Sequence, residues 1–332
     1  MIRRPVVRLT FLMVLVAVAV PAVVPAVVPA QEPKPQDKSY TFSVDVQLVQ
    51  LPVSVLDRNG DPVAGLNREH FQVFEDGILQ QLSLFKHEDI PMSVGLVIDN
   101  SASMRYKRQI VNQAALAFAK QSNPDDETFI VNFDDAAFLE QDFTSSIDTL
   151  IQALGKMDSR GQTALYDAVY LSAEHLNKGK KDKKALLLIS DGADNASRYN
   201  LDNVLAQLRF SKATVYAIGL LDEDSDRRGL FGRRPANKSR EILEKFAAMT
   251  GGRAYFPESV YDVEALCRKI AHDIRNHYTL GYTPSNAKLD GSWRAVTVRL
   301  NPPKTVSKPT VRAKEGYYAP KGQTIGQRNL QN

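Results

Sequence analysis

Residues 92–104 read Met92-Ser-Val-Gly-Leu-Val-Ile-Asp-Asn-Ser-Ala-Ser-Met104, MSVGLVIDNSASM. A near-continuous apolar run ends on one acid, Asp99, and two serines spaced two apart follow, Ser101 and Ser103. An apolar strand without polar alternation is what a sheet covered on both faces requires. The end of that strand then delivers a carboxylate and two hydroxyls to one place. Four chemistries use such a group: oxygen ligands for a hard metal ion, a nucleophilic serine, a phosphate cradle, or a plain helix cap.

Further elements of the same kind follow. ETFIVNF (127–133), KKALLLISD (183–191) and ATVYAIGL (213–220) read as buried strands, and GGRAYF (251–256) as a last short one. Between them, RYKRQIVNQAALAFAKQS, IDTLIQALGKM, TALYDAVYLSAEHLNK, NLDNVLAQLRFS and SREILEKFAAMT have helical spacing, and VYDVEALCRKIAHDIRNHY closes the series. Alternation of buried strands with amphipathic helices predicts an α/β fold with a doubly wound, mostly parallel sheet over residues 91–274. Residues 221–240, charged and poor in apolar side chains, read as a surface loop.

Both flanks have strand periodicity. In 39–90, FSVDVQLVQLPVSVLD alternates polar and apolar positions, and HFQVFEDGILQQLSLFKHE gives two strands about an Asp-Gly turn. In 275–320, YTLGYTP, SWRAVTVRL and TVRAKEGYYAP supply three more. Each flank alone is small for an independent core. The expectation is one β-sandwich built from both, with the α/β unit inserted; two separate β modules are the alternative. Residues 321–332 read as a disordered tail.

The amino terminus has the order of a secretory signal. Arg3, Arg4 and Arg8 precede an apolar run over 9–20, prolines follow at 21, 25 and 29, and Ala30 suits cleavage. A spanning helix needs about 20 apolar residues. Residues 1–30 are therefore assigned to a signal peptide and 31–38, QEPKPQDK, to a linker. Those three arginines account for most of the formal charge of +4, so the remainder is nearly neutral and offers no basic surface for nucleic acid. Cys267 is the only cysteine and has the spacing of a helix core residue, so no intrachain disulfide forms. Together these features predict a secreted or periplasmic protein of a bacterial envelope, with no membrane span in the mature chain.

Two further oxygen-bearing points join the first stretch. Thr163 lies in Arg160-Gly161-Gln162-Thr163-Ala164 before a helix, and Asp191 ends a strand in Ile189-Ser190-Asp191-Gly192. Sites in doubly wound sheets form at such carboxyl ends. Three hydroxyls and two carboxylates, without imidazole or thiolate, suit Mg²⁺ or Mn²⁺ and not Zn²⁺. With few charged ligands, such an ion stays electrophilic toward one more carboxylate. Taken singly, Ser103 and Thr163 are also ordinary helix caps, and Asp191-Gly192 is an ordinary turn.

Asp99-x-Ser101-x-Ser103, the distant Thr163 and Asp191-Gly192 resemble the metal-ion-dependent adhesion site of von Willebrand factor type A domains, and no position departs from that pattern. The resemblance covers roughly residues 91–274. It implies that both serines and the threonine coordinate the ion, with the acids bound directly or through water. It also implies a partner protein that offers an acidic side chain. The flanks resemble, less specifically, those of exported bacterial proteins of this type.

Enzyme chemistries fit less well. No G-x-S-x-G surrounds Ser101 or Ser103, and none of the histidines is placed by sequence at the sheet's carboxyl edge; His175 reads as an exposed helix residue. No G-x-x-x-x-G-K-[ST] is present, and phosphoryl transfer at Asp99 lacks the second acid where Ser101 stands. Asp134-Asp135 end a strand and are treated as a solvated turn. The expectation is a non-enzymatic exported protein that uses Mg²⁺ or Mn²⁺ at Asp99, Ser101, Ser103, Thr163 and Asp191 to capture a partner, in adhesion or envelope assembly. The alternatives are a structural protein whose metal braces loops, and a hydrolase.

Overall fold

A computed structural model describes residues 48–87, 89–121, 123–156, 159–191, 194–221, 235–303 and 306–321. The segments assigned to the signal and linker, residues 39–47, most of the 221–240 loop, Gly192, and residues 322–332 lie outside them. Four strands come first: β1 (Val49–Leu56), β2 (Phe71–Glu75), β3 (Ile78–Gln80) and β4 (Leu82–Lys86). The central unit follows as β5 (Met92–Asp99), α1 (Arg108–Lys120), β6 (Glu127–Phe133), β7 (Ala137–Thr144), α2 (Ile147–Lys156), α3 (Leu165–His175), β8 (Lys183–Ser190), α4 (Leu201–Phe210), β9 (Thr214–Gly219), α5 (Pro235–Met249), β10 (Ala254–Tyr255) and α6 (Val263–Arg275). Four more strands close the fold: β11 (Tyr278–Tyr282), β12 (Trp293–Leu300), β13 (Thr310–Ala313) and β14 (Gly316–Tyr318).

The central sheet has the order β10-β9-β8-β5-β6-β7, parallel except for β7. All eight residues of β5 are buried, which is why its sequence shows no polar alternation. Leu96 and Ile98 face a core shared with α1, α2 and α6; Val97 faces the opposite core, shared with α3, α4 and α5. The sheet is thus doubly wound. β5 lies between β6 and β8, so the strand order reverses at β5 and leaves a crevice beyond its carboxyl end.

The flanks form two four-stranded antiparallel sheets, β13-β1-β11-β4 and β14-β12-β2-β3, each drawing strands from both ends of the chain. Leu51, Val53, Phe71, Val73, Tyr278, Leu280 and Val296 fill the core between them.

Several elements differ from the sequence expectation. The stretch expected as two strands before residue 87 forms three, because the chain changes sheet at Gln81. The stretch expected as one strand over 310–318 forms two, β13 and β14, because it changes sheet at Lys314-Glu315. Strand β7 carries weak apolar alternation, since it is an edge strand with irregular register and half-exposed residues. Helix α1 starts at Arg108, not Arg105, after a 3-10 turn over Ala102–Met104. Helix α5 reaches back to Pro235, whose fixed φ suits a first helical position. His175 is not an exposed helix residue: it ends α3, its ring stacks on Phe143 at 5.2 Å, and its Nε2 lies 2.8 Å from Asp142.

The sandwich meets the α/β unit at the amino ends of the parallel strands. Asp273 on α6 accepts from Ser54 of β1 at 2.6 Å, from Arg312 of β13 at 2.6 Å and from Tyr216 of β9 at 3.0 Å. Because the Tyr216 hydroxyl donates to Asp273, His277 Nε2, 2.8 Å away, donates to it in turn. Burial works to raise the Asp273 carboxyl, but His277, Arg312 and Ser54 outweigh it and hold it below its ordinary value. The Lys314 ammonium donates to the carbonyls of Arg209 and Ser211 at the end of α4. Arg275 pairs with Asp89 and Asp126, beside the starts of β5 and β6. Among the described residues, no helix is long and apolar enough to cross a membrane.

This junction predicts one cooperative unit. Trp293, the only tryptophan, reports on the sandwich, and helical circular dichroism reports on the α/β unit. In urea the two signals are expected to change together. Asp273→Ala, which leaves the largely covered Arg312 and the buried Tyr216 hydroxyl without their acceptor, lowers the common stability by about 3–5 kcal/mol; separate transitions in the native protein would contradict the coupling.

Candidate metal centre

Asp99 is the last residue of β5, and Asp191 directly follows β8, its parallel neighbour. The register pairs Ile98 with Ile189, so the two acids leave the sheet side by side. Asp99 is 2% exposed. Its Oδ1 accepts from the backbone N–H of Ser101 at 2.9 Å, and its Oδ2 from the Ser190 hydroxyl at 2.6 Å. Burial, and then the neighbouring Asp191 carboxylate, push the Asp99 carboxyl up to about 6. No basic side chain is among the groups acting on it. The Asp191 Oδ1 atom is buried and has no hydrogen-bond partner among the described residues.

The hydroxyls have not been spent on capping. Ser101 precedes the 3-10 turn without a side-chain cap bond, and its Oγ lies 3.0 Å from that of Ser103. Ser103 does not cap α1, whose N-cap is Lys107. Thr163 does not cap α3, whose N-cap is Ala164. The amino end of α3 is served instead by the 194–197 loop, where Asp194 accepts from Tyr166 N and the Ser197 hydroxyl from Asp167 N. Thr163 is 4% exposed, and its hydroxyl has no hydrogen-bond partner among the described residues.

Backbone bonds hold the loops in place. Ala102 N donates to Gly161 O at 3.2 Å and Arg160 N to Asn100 O at 3.0 Å, tying the loop before α3 to the turn after β5. Ser159 donates to the Asn100 side chain. Asn195 clasps Thr163 from both sides: its Oδ1 accepts from Thr163 N at 2.8 Å, and its own N–H donates to Thr163 O at 3.0 Å. Gly161 has φ +72°, and a Cβ there would meet the Asp135 carboxylate at 2.5 Å, so glycine is required.

Asp99, Ser101, Ser103 and Asp191 thus gather at one sheet edge, and Thr163 joins them through its loop. The positioning residues Asn100, Ser190, Asp194 and Asn195 carry no pattern of their own in the sequence, although the polar run Asp194-Asn-Ala-Ser197 is an Asx-rich turn signal. Asp134, treated as a solvated-turn residue, is buried, and its carboxylate lies 3.6 Å from Arg160. Among the described residues, no three His, Cys, Asp or Glu side chains form a metal-binding group, so a cation here would rest on hydroxyls as much as on acids. The donor set fits a hard divalent ion: the buried Asp99 carboxylate beside the half-buried Asp191, whose buried Oδ1 has no partner among the described residues, and hydroxyls not spent on helix capping. Histidine does not join them, since His70 lies in the sandwich, His175 under β7, and His87, His272 and His277 at the junction.

Residues 94–193 match the family model of the von Willebrand factor type A domain. An uncharacterized protein of Synechocystis sp. is 24% identical over 230 residues, covering 67% of this chain; the chain spans about half the length (50%) of that relative. Among solved structures, a von Willebrand factor type A protein from Catenulispora acidiphila is 12% identical with a TM-score of 0.47, covering 85% of this chain and 76% of its own. BatB from Bacteroides thetaiotaomicron is 16% identical with a TM-score of 0.43, covering 54% of this chain and 97% of its own. The PilB minor pilin from Streptococcus sanguinis is 12% identical with a TM-score of 0.46, covering 57% and 62%.

The raised Asp99 carboxyl has a consequence for the protein without divalent ions. The folded state holds its proton up to about pH 6, whereas an unfolded aspartate loses it near 3.8. Folded protein therefore binds more protons between those values, and this contribution to stability falls as pH rises through them. His277, lowered to about 4 chiefly by burial, acts oppositely over the same range, so the quantity to compare is the difference between two proteins. In EDTA, Asp99→Asn is expected to exceed the native protein by on the order of 1–3 kcal/mol at pH 7 and to match it near pH 4. Urea midpoints at the two pH values check it.

Proposed function

We propose, for a chain whose residues 94–193 form a von Willebrand factor type A domain, that it is an exported, non-enzymatic protein that binds a protein partner through a divalent cation. Asp99, Ser101, Ser103, Thr163 and Asp191 would hold Mg²⁺ or Mn²⁺. When bound, the ion supplies a Lewis-acidic point that takes a carboxylate from the partner. The observation that carries this reading is the orphaned, buried Asp191 Oδ1 beside the buried Asp99, with three hydroxyls released from capping. The buried Asp99 beside the half-buried Asp191, with no basic side chain among the groups acting on Asp99, calls for a positive charge from outside the chain.

Two features favour partner capture over the other readings. The loops are already tied by backbone bonds, so an ion is not needed as their brace. No histidine stands beside the serines to serve as a base, and the Ser190 hydroxyl that Asp99 holds is fully buried. The signal-like amino terminus supports a secreted or periplasmic, envelope-associated location, where the binding would serve adhesion or envelope assembly.

Calorimetric titration with Mn²⁺ or Mg²⁺ tests the proposal. One ion is expected per chain, with affinity reduced roughly 100-fold or more in Asp99→Ala and Asp191→Ala, and about 10–100-fold in Ser190→Ala, which removes the outer hydrogen bond to Asp99. Proteins captured from native envelopes are expected to be released by EDTA. Equal metal affinity in native and Asp99→Ala proteins would remove the ion from the site.

A further inference from the structure

Arg105-Tyr106-Lys107-Arg108 leads from the turn carrying Ser101 and Ser103 straight into α1. Cations stand here at the amino end of a 13-residue helix, whose first turn contains no acid and whose N-cap Lys107 makes no side-chain cap bond. The helix dipole is positive at that end, so this placement works against the helix. Lys107 has a structural use, since its ammonium donates to Leu220 O at 3.0 Å. Arg105 and Tyr106 have no side-chain hydrogen bond, ion pair or ring contact among the described residues. Tyr106 is 93% exposed, although its backbone is fixed: Met104 beside it is buried, and Lys107 N donates to Met104 O at 2.9 Å. Arg160, on the loop bonded to Asn100, has a side chain 77% exposed and, among the described residues, pairs with Asp134 at 3.6 Å. Tyrosine and arginine are the side chains that most often dominate binding energy at protein interfaces.

We infer that the partner is an acidic protein segment with two carboxylates, one for the candidate metal centre and a second for Arg105 and Arg160, with Tyr106 packing against the segment. This inference rests on the proposed function of the centre. A discrete pair of acids fits the face better than a polyanion. Asp134 beside Arg160 and Asp135 beside Gly161 stand at this face and repel a uniform negative surface such as nucleic acid or anionic lipid. Arg105 and Tyr106 extend the candidate site outward, as a recognition rim does.

The test uses the purified protein in excess Mg²⁺ and labelled Gly/Ser peptides. One peptide bears a single aspartate; a set bears two, separated by spacers of increasing length. One two-acid peptide is expected to bind about three- to tenfold more tightly than the one-acid peptide. Arg105→Glu is expected to abolish that gain and Tyr106→Ala to weaken the binding of both kinds of peptide, with Mn²⁺ affinity unchanged in both variants. Arg105→Glu is also expected to raise the melting temperature or leave it unchanged, since an acid suits the amino end of α1, which separates lost recognition from lost folding. The inference is overturned if no two-acid peptide binds better than the one-acid peptide, if none binds at millimolar concentration, or if Arg105→Glu keeps the gain. It is also overturned if anionic vesicles or duplex DNA bind in EDTA and lose that binding in Arg105→Glu. A two-acid preference that survives EDTA but disappears in Arg105→Glu keeps the rim and sinks the metal reading instead.

Discussion

Asp99 ends one strand and Asp191 lies one residue past the end of its parallel neighbour, close enough for each carboxylate to act on the other, and that apposition governs the rest of the site. Neither acid is placed there by local preference. β5 and β8 are buried on both faces by helices from two layers, and their register is set by those cores. Packing energy from the strands thus carries two acids into a poorly solvated crevice that disfavours their charges. Hydroxyls and amides around Asp99 offset part of that penalty, and Asp191 Oδ1 has no partner among the described residues. On the proposed function, that unfavourable charge is what a cation would relieve, and a cation held by so few charged ligands would accept one more.

The same economy appears in the division between the two edges of the central sheet. The amino edge is closed: Asp273, Arg312, Tyr216, His277, Lys314 and Arg275 bind the α/β unit to the sandwich through hydrogen bonds and ion pairs among largely covered polar groups. The carboxyl edge keeps its loops exposed, with Ala102, Ser103, Tyr106, Arg160 and Gly161 all reaching solvent. The sandwich therefore holds the unit from behind and leaves the site clear.

Much of this was legible from residue pattern. β5, β6, β8 and β9 are buried on both faces, so their apolar runs stood out, and strand ends in such sheets mark the site. Thr163 and Asp191 were found because short-range oxygen patterns sit just past or before those elements. What could not be seen depends on long-range partners. β7 is an edge strand with exposed Phe138 and Leu139 and polar residues between, so no clean period marks it. The changes of sheet at Gln81 and at Lys314 follow from which strands pair, not from local composition. His175 looked exposed from its helix position because Phe143 and Asp142, which cover it, belong to the strand that was missed. Asn195 serves Thr163 from 32 residues away, a distance over which side-chain spacing says nothing.

The most direct measurement is anomalous scattering from crystals soaked in Mn²⁺. A single strong peak bounded by Asp99, Ser101, Ser103, Thr163 and Asp191, absent in Asp99→Ala crystals, is the result expected if the carboxylate pair exists to hold a cation. Native crystals with no peak there, and Asp191 Oδ1 bonded instead to an ordered water or a protein donor, would contradict the account.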